Sequence, residues 1–105
     1  MDDCKHQHQK RIAETASDML AGNVSYIVGA RLIVALSFEA GLERDFDILP
    51  FVGADSETDA LPVEEKIKHL WSSEALEKLR PEIDRAETWA RKFLEPHCRS
   101  LVARF

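Results

Sequence analysis

The apolar residues near the start of the chain recur at helical spacing. Ile12, Ala16 and Met19 follow one another at steps of three and four residues, as one side of an α-helix requires. Gly22 stands just behind them, where a helix commonly ends with a residue in the left-handed conformation. We therefore predict a helix over residues 5–21.

The longest apolar stretch of the sequence covers residues 24–38. It is shorter than the roughly 20 residues that a membrane-spanning helix needs. Asn23 or Ser25 can cap it, and Gly41 can end it. Its β-branched residues are also typical of strands, but they do not alternate with polar residues, and the stretch is too long for one strand. Because it is apolar on nearly every side, we predict a central helix.

Residues 42–61 lose the helical pattern. Short apolar pieces are separated here by acidic residues, a proline and a glycine. Connections of this length rarely lack secondary structure unless their own side chains hold them in place. We predict one long ordered loop, anchored by Leu49, Phe51 and Val52.

Two shorter helices are predicted after this loop. Pro62 suits the first position of a helix, which we expect to run to Trp71. Ser72 or Ser73 can cap a short helix that follows, and Pro81 would bend or restart the chain at its end.

The apolar spacing continues from Pro81 to the C-terminal residues. The positions at steps of three or four are Ile83, Ala86, Ala90, Phe93, His97 and Leu101. They run straight through Pro96, which indicates a kink rather than the end of a helix. The fold predicted from these patterns is all-α: one domain over residues 1–105, built as a four- or five-helix bundle with one long ordered acidic loop.

Charge is distributed unevenly along the chain. The net charge is −5, and the isoelectric point lies near 5.3. Residues 39–65 hold nine acidic groups against Arg44, which gives −8, whereas residues 66–105 carry +3. A negative middle region repels phosphate backbones, so it disfavours nucleic-acid binding and favours a basic protein partner.

Alternate acidic residues in this middle region resemble half of a calcium loop. With Asp55 as the first ligand, Glu57 and Asp59 occupy the third and fifth positions of an EF-hand. However, Ala60 replaces the glycine of the sixth position, and Lys66 replaces the glutamate of the twelfth. We predict that the acids form the turn before the next helix, with a docking surface and an irregular cation site as alternatives.

The docking alternative defines our leading functional hypothesis. Apolar side chains are interleaved with the acids of this region, and loops often carry recognition. The candidate partner-binding residues are Asp45, Asp47, Phe51, Asp55, Glu57 and Asp59. We predict a non-enzymatic protein-binding module, such as an inhibitor or immunity-type protein, that needs no cofactor. A small-ligand or divalent-metal-binding helical protein is the alternative, and self-association as a homo-oligomer is a third.

Arg31 carries the only charge between residues 24 and 38. Burying a guanidinium without a paired group is costly. We therefore predict a structural anchor that bonds a carboxylate or the carbonyls of the acidic loop. A clamp for an anionic ligand is the alternative.

Cysteines and histidines give weak signals for chemistry. Cys4 alternates with His6 and His8, and no second pair of ligands follows at zinc-finger spacing. Adjacency of His97 and Cys98 in the sequence does not create the geometry of a nucleophilic pair. The N-terminal residues lack the apolar segment of a secretion signal, so we expect reduced thiols and a cytoplasmic protein.

Three stretches of the chain resemble a known family. They are GNVSYIVGARLIVAL, FVGADSETDALPVEEKIKHLW and EALEKLRPEIDRAETWARKF, which together cover more than half of the sequence. They resemble a family of small uncharacterised bacterial proteins of about this length, a domain without an established activity. The resemblance implies a bacterial cytosolic protein and a shared fold, and it assigns no functional residue.

Overall fold

In a computed structural model, four helices lie wholly within the described part of the chain. The structure describes residues 2–63 and 68–105, with side chains from residue 5 onward. These residues include no strand, and their helices are α1 (Asp2–Ala21), α2 (Tyr26–Glu39), α3 (Leu49–Thr58) and α4 (Ser73–Arg104). The predicted all-α class is confirmed. No helix in the described part of the chain is both long enough and apolar enough to cross a bilayer.

The end of α1 lies where the sequence places it. Gly22 has a φ of 81°, and its N–H donates to the carbonyl of Met19 at 3.1 Å. The N–H of Asn23 donates to the carbonyl of Asp18 at 2.9 Å. This pair of hydrogen bonds satisfies carbonyls that the last helical turn would leave without partners.

Both ends of α2 also agree with the prediction. The hydroxyl of Ser25 accepts a hydrogen bond from the N–H of Val28 at 3.1 Å, so Ser25 is the cap. Gly41 has a φ of 71°, and the N–H of Leu42 behind it donates to the carbonyl of Ser37 at 2.7 Å. The chain thus leaves α2 through a second left-handed glycine.

Helix α2 packs against α1, α3 and α4, as a central helix does. It lies close to α1, where a Cβ added to Gly29 would overlap the thioether of Met19. The helix is not buried on every side, however: Leu32 and Phe38 are 47% and 65% exposed. The core contains Ile12, Ala16, Met19, Tyr26, Ile27, Ala30, Ile33, Leu36, Ile48, Phe51, Ala54, Leu61, Ala90, Leu94, Cys98 and Leu101.

The prediction of one long loop over residues 42–61 is wrong, because α3 occupies its second half. Phe51, Ala54 and Thr58 are buried at spacings of three and four, which is a helical stripe. Pro50 lies in the first turn, where its missing N–H costs no hydrogen bond. The hydroxyl of Thr58 donates to the carbonyl of Ala54 at 2.8 Å, so this buried polar group is satisfied.

The short helix predicted before Pro81 is instead the beginning of α4. Ser72 caps this helix, and both Pro81 and Pro96 lie inside it. At about 1.5 Å per residue, its 32 residues match the 47 Å long axis of the molecule. Its buried stripe is Ala90, Leu94, Cys98 and Leu101.

The helix predicted from Pro62 falls partly outside the described residues, which omit residues 64–67. Pro62 itself is buried and not helical, so it does not start a helix. At the other end of this segment, the N–H of Trp71 donates to the carbonyl of Lys68 at 3.0 Å.

Candidate functional site

Arg31 joins α2 to the end of α3. Its Nη2 donates to the carbonyls of Thr58 and Leu61 at 2.5 and 3.1 Å. Its Nε lies 3.8 Å from Oδ1 of Asp55, and only 14% of the Arg31 side chain is exposed. These are the contacts expected of an internal anchor, with both carbonyls and a carboxylate from the acidic region.

Asp45 and Asp47 hold the C-terminal turn of α4. Both oxygens of Asp45 accept from the guanidinium of Arg104 at 2.6 Å, and Asp47 accepts from it at 2.8 Å. Asp45 also accepts from the N–H of Asp47 at 2.9 Å, which closes a local turn. The Arg104 guanidinium lowers the pKa of Asp45, and the two carboxylates raise the pKa of Arg104. Two of the predicted partner-binding acids therefore already have a partner within the chain.

The prediction that Phe51 contacts a partner is wrong. Its side chain is fully buried in the core. It lies with Ala54 on the buried side of α3. The prediction of a loop did not place these residues on one side of a helix. An apolar residue at this depth stabilises the fold and is not available to a binding partner.

The remaining predicted residues lie along α3 and immediately after it. The Asp55 side chain is 31% exposed and faces Arg31. Glu57 and Asp59 are exposed, and among the described residues neither has an ion pair. Of these carboxylates, Asp55 thus makes a contact within the chain, whereas Glu57 and Asp59 lie at the surface. No group of three or more described His, Cys, Asp or Glu residues is arranged to hold a metal ion.

A shallow groove separates the C-terminal half of α3 from α4. It is lined by Glu57, Thr58, Glu82, Arg85, Ala86 and Trp89, and we call it the α3–α4 groove. Carboxylates therefore occur on both of its walls, and an indole that is 42% exposed lies at one end. Sequence reasoning missed Glu82, Arg85 and Trp89 because only the packing of α4 against α3 brings them beside the acidic region.

A row of three rings extends along α4 from this groove. The rings of Trp89 and Phe93 stack with centroids 5.4 Å apart and planes 12° apart. The ring of His97 meets Phe93 edge-on at 5.8 Å. The sequence pattern placed Phe93 in the core stripe, but it is 41% exposed. The three rings are four residues apart along α4, beside the buried stripe. This spacing is the sequence pattern that could have predicted the row.

Gly53 is a feature of α3 that packing among the described residues does not explain. It lies in the middle of the helix without a positive φ, and a Cβ added there would meet no described residue within 4 Å. Glycine inside a helix costs about 0.5–1 kcal/mol relative to alanine. The fold itself would therefore be more stable with alanine at this position.

Glu87 caps α2 from a distant helix. Its carboxylate accepts from the N–H of Tyr26 at 2.6 and 2.9 Å and from that of Ile27 at 3.3 Å. Burial raises the pKa of Glu87 in spite of these donors. The carboxylate satisfies helix N–H groups that the hydroxyl of Ser25 does not reach. Sequence spacing gave no indication of this contact, because it joins residues about sixty positions apart.

Cys98 is fully buried, and its Sγ lies 3.9 Å from Sδ of Met19. Desolvation raises the pKa of the thiol to about 12. A thiol in this environment stays protonated at neutral pH, so it is a poor nucleophile. The neighbouring His97 packs against Phe93 instead. The side chain of Cys4 lies outside the described residues.

The chain matches no protein-family model, no curated protein and no solved structure. The resemblance to a family of bacterial proteins accordingly stays a prediction. Any function assigned to the chain therefore rests on the geometry of its described residues.

Proposed function

We propose that this chain is a non-enzymatic protein-binding module that receives a basic partner at the α3–α4 groove. The observation that carries the proposal is the meeting of exposed carboxylates with an exposed indole in one groove. Aromatic residues are enriched at protein interfaces, and opposite charge steers a partner towards its site. An inhibitor or immunity-type protein would use such a surface.

The charges of the groove support a basic partner. Glu57 and Glu82 supply two carboxylates against the guanidinium of Arg85 in the lining, and the exposed Asp59 follows Glu57 two residues later in the chain. Glu57 and Asp59 also lie at the end of α3, where the helix dipole disfavours negative charge. These acids therefore do not stabilise their own helix, and a cationic partner would offset the local repulsion.

The proposed contact surface is smaller than the acidic loop that the sequence predicted as the binding region. Asp45 and Asp47 are engaged by Arg104, and Phe51 is buried, so the contact surface contracts to Glu57, Asp59 and the aromatic row of α4.

Affinity capture from a bacterial lysate tests the proposal when it compares variants. The test variant is Glu57→Lys with Asp59→Lys, which reverses the exposed charge of α3. The control is Glu14→Lys with Asp18→Lys, because these exposed acids lie on α1 away from the groove. Captured proteins are identified by mass spectrometry at low and high salt.

We expect a partner that is retained by the control, lost by the test variant and released by salt, since screening weakens such contacts. Circular dichroism checks that both variants keep their helices. A partner that binds the test variant and wild type alike would contradict the proposal.

A further inference from the structure

Helices α3 and α4 run side by side in opposite directions. Near the N-terminal end of α3, Asp45 and Asp47 contact Arg104. At its C-terminal end, Glu57 lines the groove with Trp89. Helical residues four apart share a side of the helix. Gly53 therefore lies one turn from Glu57 along α3.

The absence of a side chain at Gly53 keeps this part of the surface open. No atom of the residues that the structure describes would lie within 4 Å of a Cβ there, and the backbone conformation does not require glycine. A position that weakens its own helix without serving the packing is typical of a functional surface. Glycine allows the backbone of another element to approach closely.

The indole of Trp89 is available to a cation. Phe93 stacks on one side of the ring, and no basic side chain among the described residues lies over it. Trp is the ring that attracts cations most strongly, and guanidinium groups occupy such positions more often than ammonium groups. The planar guanidinium can also bond a carboxylate through two hydrogen bonds while it stacks.

We infer that the α3–α4 groove receives an arginine-bearing segment of a protein partner, whose backbone passes over Gly53 and whose guanidinium stacks on Trp89 beside Glu57 or Glu82. This inference rests on the proposed function and deepens it. A second copy that docks groove to groove is a poorer occupant, because both surfaces then carry an excess of carboxylates.

Binding of designed peptides tests the inference on the full chain. The probes are an alanine-based helical peptide with arginine at every fourth position and matched peptides with lysine or glutamate there. The fluorescence of Trp89, isolated by Trp71→Phe, reports binding at low salt, since the chain has two tryptophans. The variants are Trp89→Leu, read by isothermal calorimetry, and Gly53→Gln. The control is Ser17→Gln, at an exposed position of α1.

We expect saturable binding of the arginine peptide, at least threefold weaker binding of the lysine peptide and none of the glutamate peptide. Trp89→Leu and Gly53→Gln should each weaken arginine-peptide binding at least tenfold, whereas Ser17→Gln leaves it unchanged. Gly53→Ala should raise the urea midpoint of the protein, which shows that the glycine does not serve the fold.

Three results would overturn the inference. The first is the absence of saturable binding of the arginine peptide. The second is binding that is indifferent to Trp89→Leu and Gly53→Gln but abolished by Glu57→Lys with Asp59→Lys, in which case the acidic surface of the proposed function stands alone. The third is a dimer in sedimentation that Gly53→Gln dissociates, which would make a second copy the occupant.

Discussion

Replacing Arg31 with methionine should destabilise the protein strongly. The substitution keeps an unbranched side chain of similar length but removes the guanidinium. The carbonyls of Thr58 and Leu61 then lose a charged donor, and Asp55 loses its contact with the guanidinium. All three groups lie at the junction of α3 with the segment after it.

The magnitude depends on the burial of these contacts. A hydrogen bond to a charged group contributes about 1.5–3 kcal/mol, and breaking a fully buried ion pair costs about 3–5 kcal/mol. The side chain of Asp55 is 31% exposed, so water can solvate it once Arg31 is gone. We therefore expect a loss of about 2–4 kcal/mol in the free energy of unfolding, below the sum of the separate terms.

Urea denaturation followed by circular dichroism measures this loss. Lys78→Met is the control, because Lys78 and its partner Glu74 are 76% and 82% exposed. Exposed pairs of this kind contribute roughly 0.3–0.5 kcal/mol. Arg31→Lys should fall between the two, since lysine keeps the charge but loses the planar set of donors. If Arg31→Met unfolds within about 0.5 kcal/mol of wild type, as ordinary surface variants do, Arg31 is not an anchor. Loss of anion binding in that case would favour the ligand clamp.

Four further predictions concern the core and two carboxylates. Gly29→Ala should lower the free energy of unfolding in urea by about 1–2 kcal/mol through overpacking against the Met19 thioether. The same substitution should cost less in a Met19→Ala background, where the thioether is absent; a stabilised single variant would refute this. Because the pKa of Asp45 is lowered, its stabilising effect is complete above the usual carboxylate range and disappears as pH falls through the lowered pKa. Asp45→Asn should thus cost stability at pH 7 and converge with wild type in acid. The pKa of Glu87 is raised, so its effect on stability has the opposite pH dependence. The free energy of unfolding of wild type should rise relative to that of Glu87→Gln as pH falls from 7. Parallel pH profiles of wild type and variant would contradict the pKa shift of the carboxylate concerned. Cys98 should resist a thiol reagent at pH 8 until urea unfolds the chain, in a variant lacking the other cysteine, because its pKa is about 12; rapid native labelling would show that the thiol is accessible.

Helix ends were predictable where the chemistry of one residue sets them. Gly22 and Gly41 adopt the left-handed conformation that other residues avoid. Ser25 and Ser72 accept hydrogen bonds from the N–H groups three residues ahead. Each effect acts within four or five residues, so the local sequence contains all the information needed.

The path of α4 was harder to predict because two prolines interrupt it. A proline inside a helix costs about 3 kcal/mol or more, and local reasoning therefore ends or bends the helix at Pro81. The structure continues the helix because its buried residues pack along α1, α2 and α3. The apolar spacing beyond Pro81 was the correct signal, although it assigned Phe93 to the core instead of its flank.

The candidate site was predictable only as far as its separate residues. The sequence indicated that Arg31 needs partners and that Glu57 and Asp59 are charged and accessible. It could not indicate that Arg104 engages two acids nearly sixty residues away, or that Trp89 lies beside Glu57. Such relations depend on the pairing of α3 with α4, which has no local signature.

Helix α3 contributes both to the stability of the fold and to the candidate site. Its own sequence opposes a helix, since Gly53 lies in its middle and acids lie at its C-terminal end. It therefore depends on tertiary contacts, of which the inner stripe around Phe51 and the bonds from Arg31 are the strongest described. Gly53 and the C-terminal acids, which weaken the helix, also form its exposed side next to the α3–α4 groove. Loss of the Arg31 contacts would consequently loosen the groove as well as the fold, although Arg31 lies on another helix.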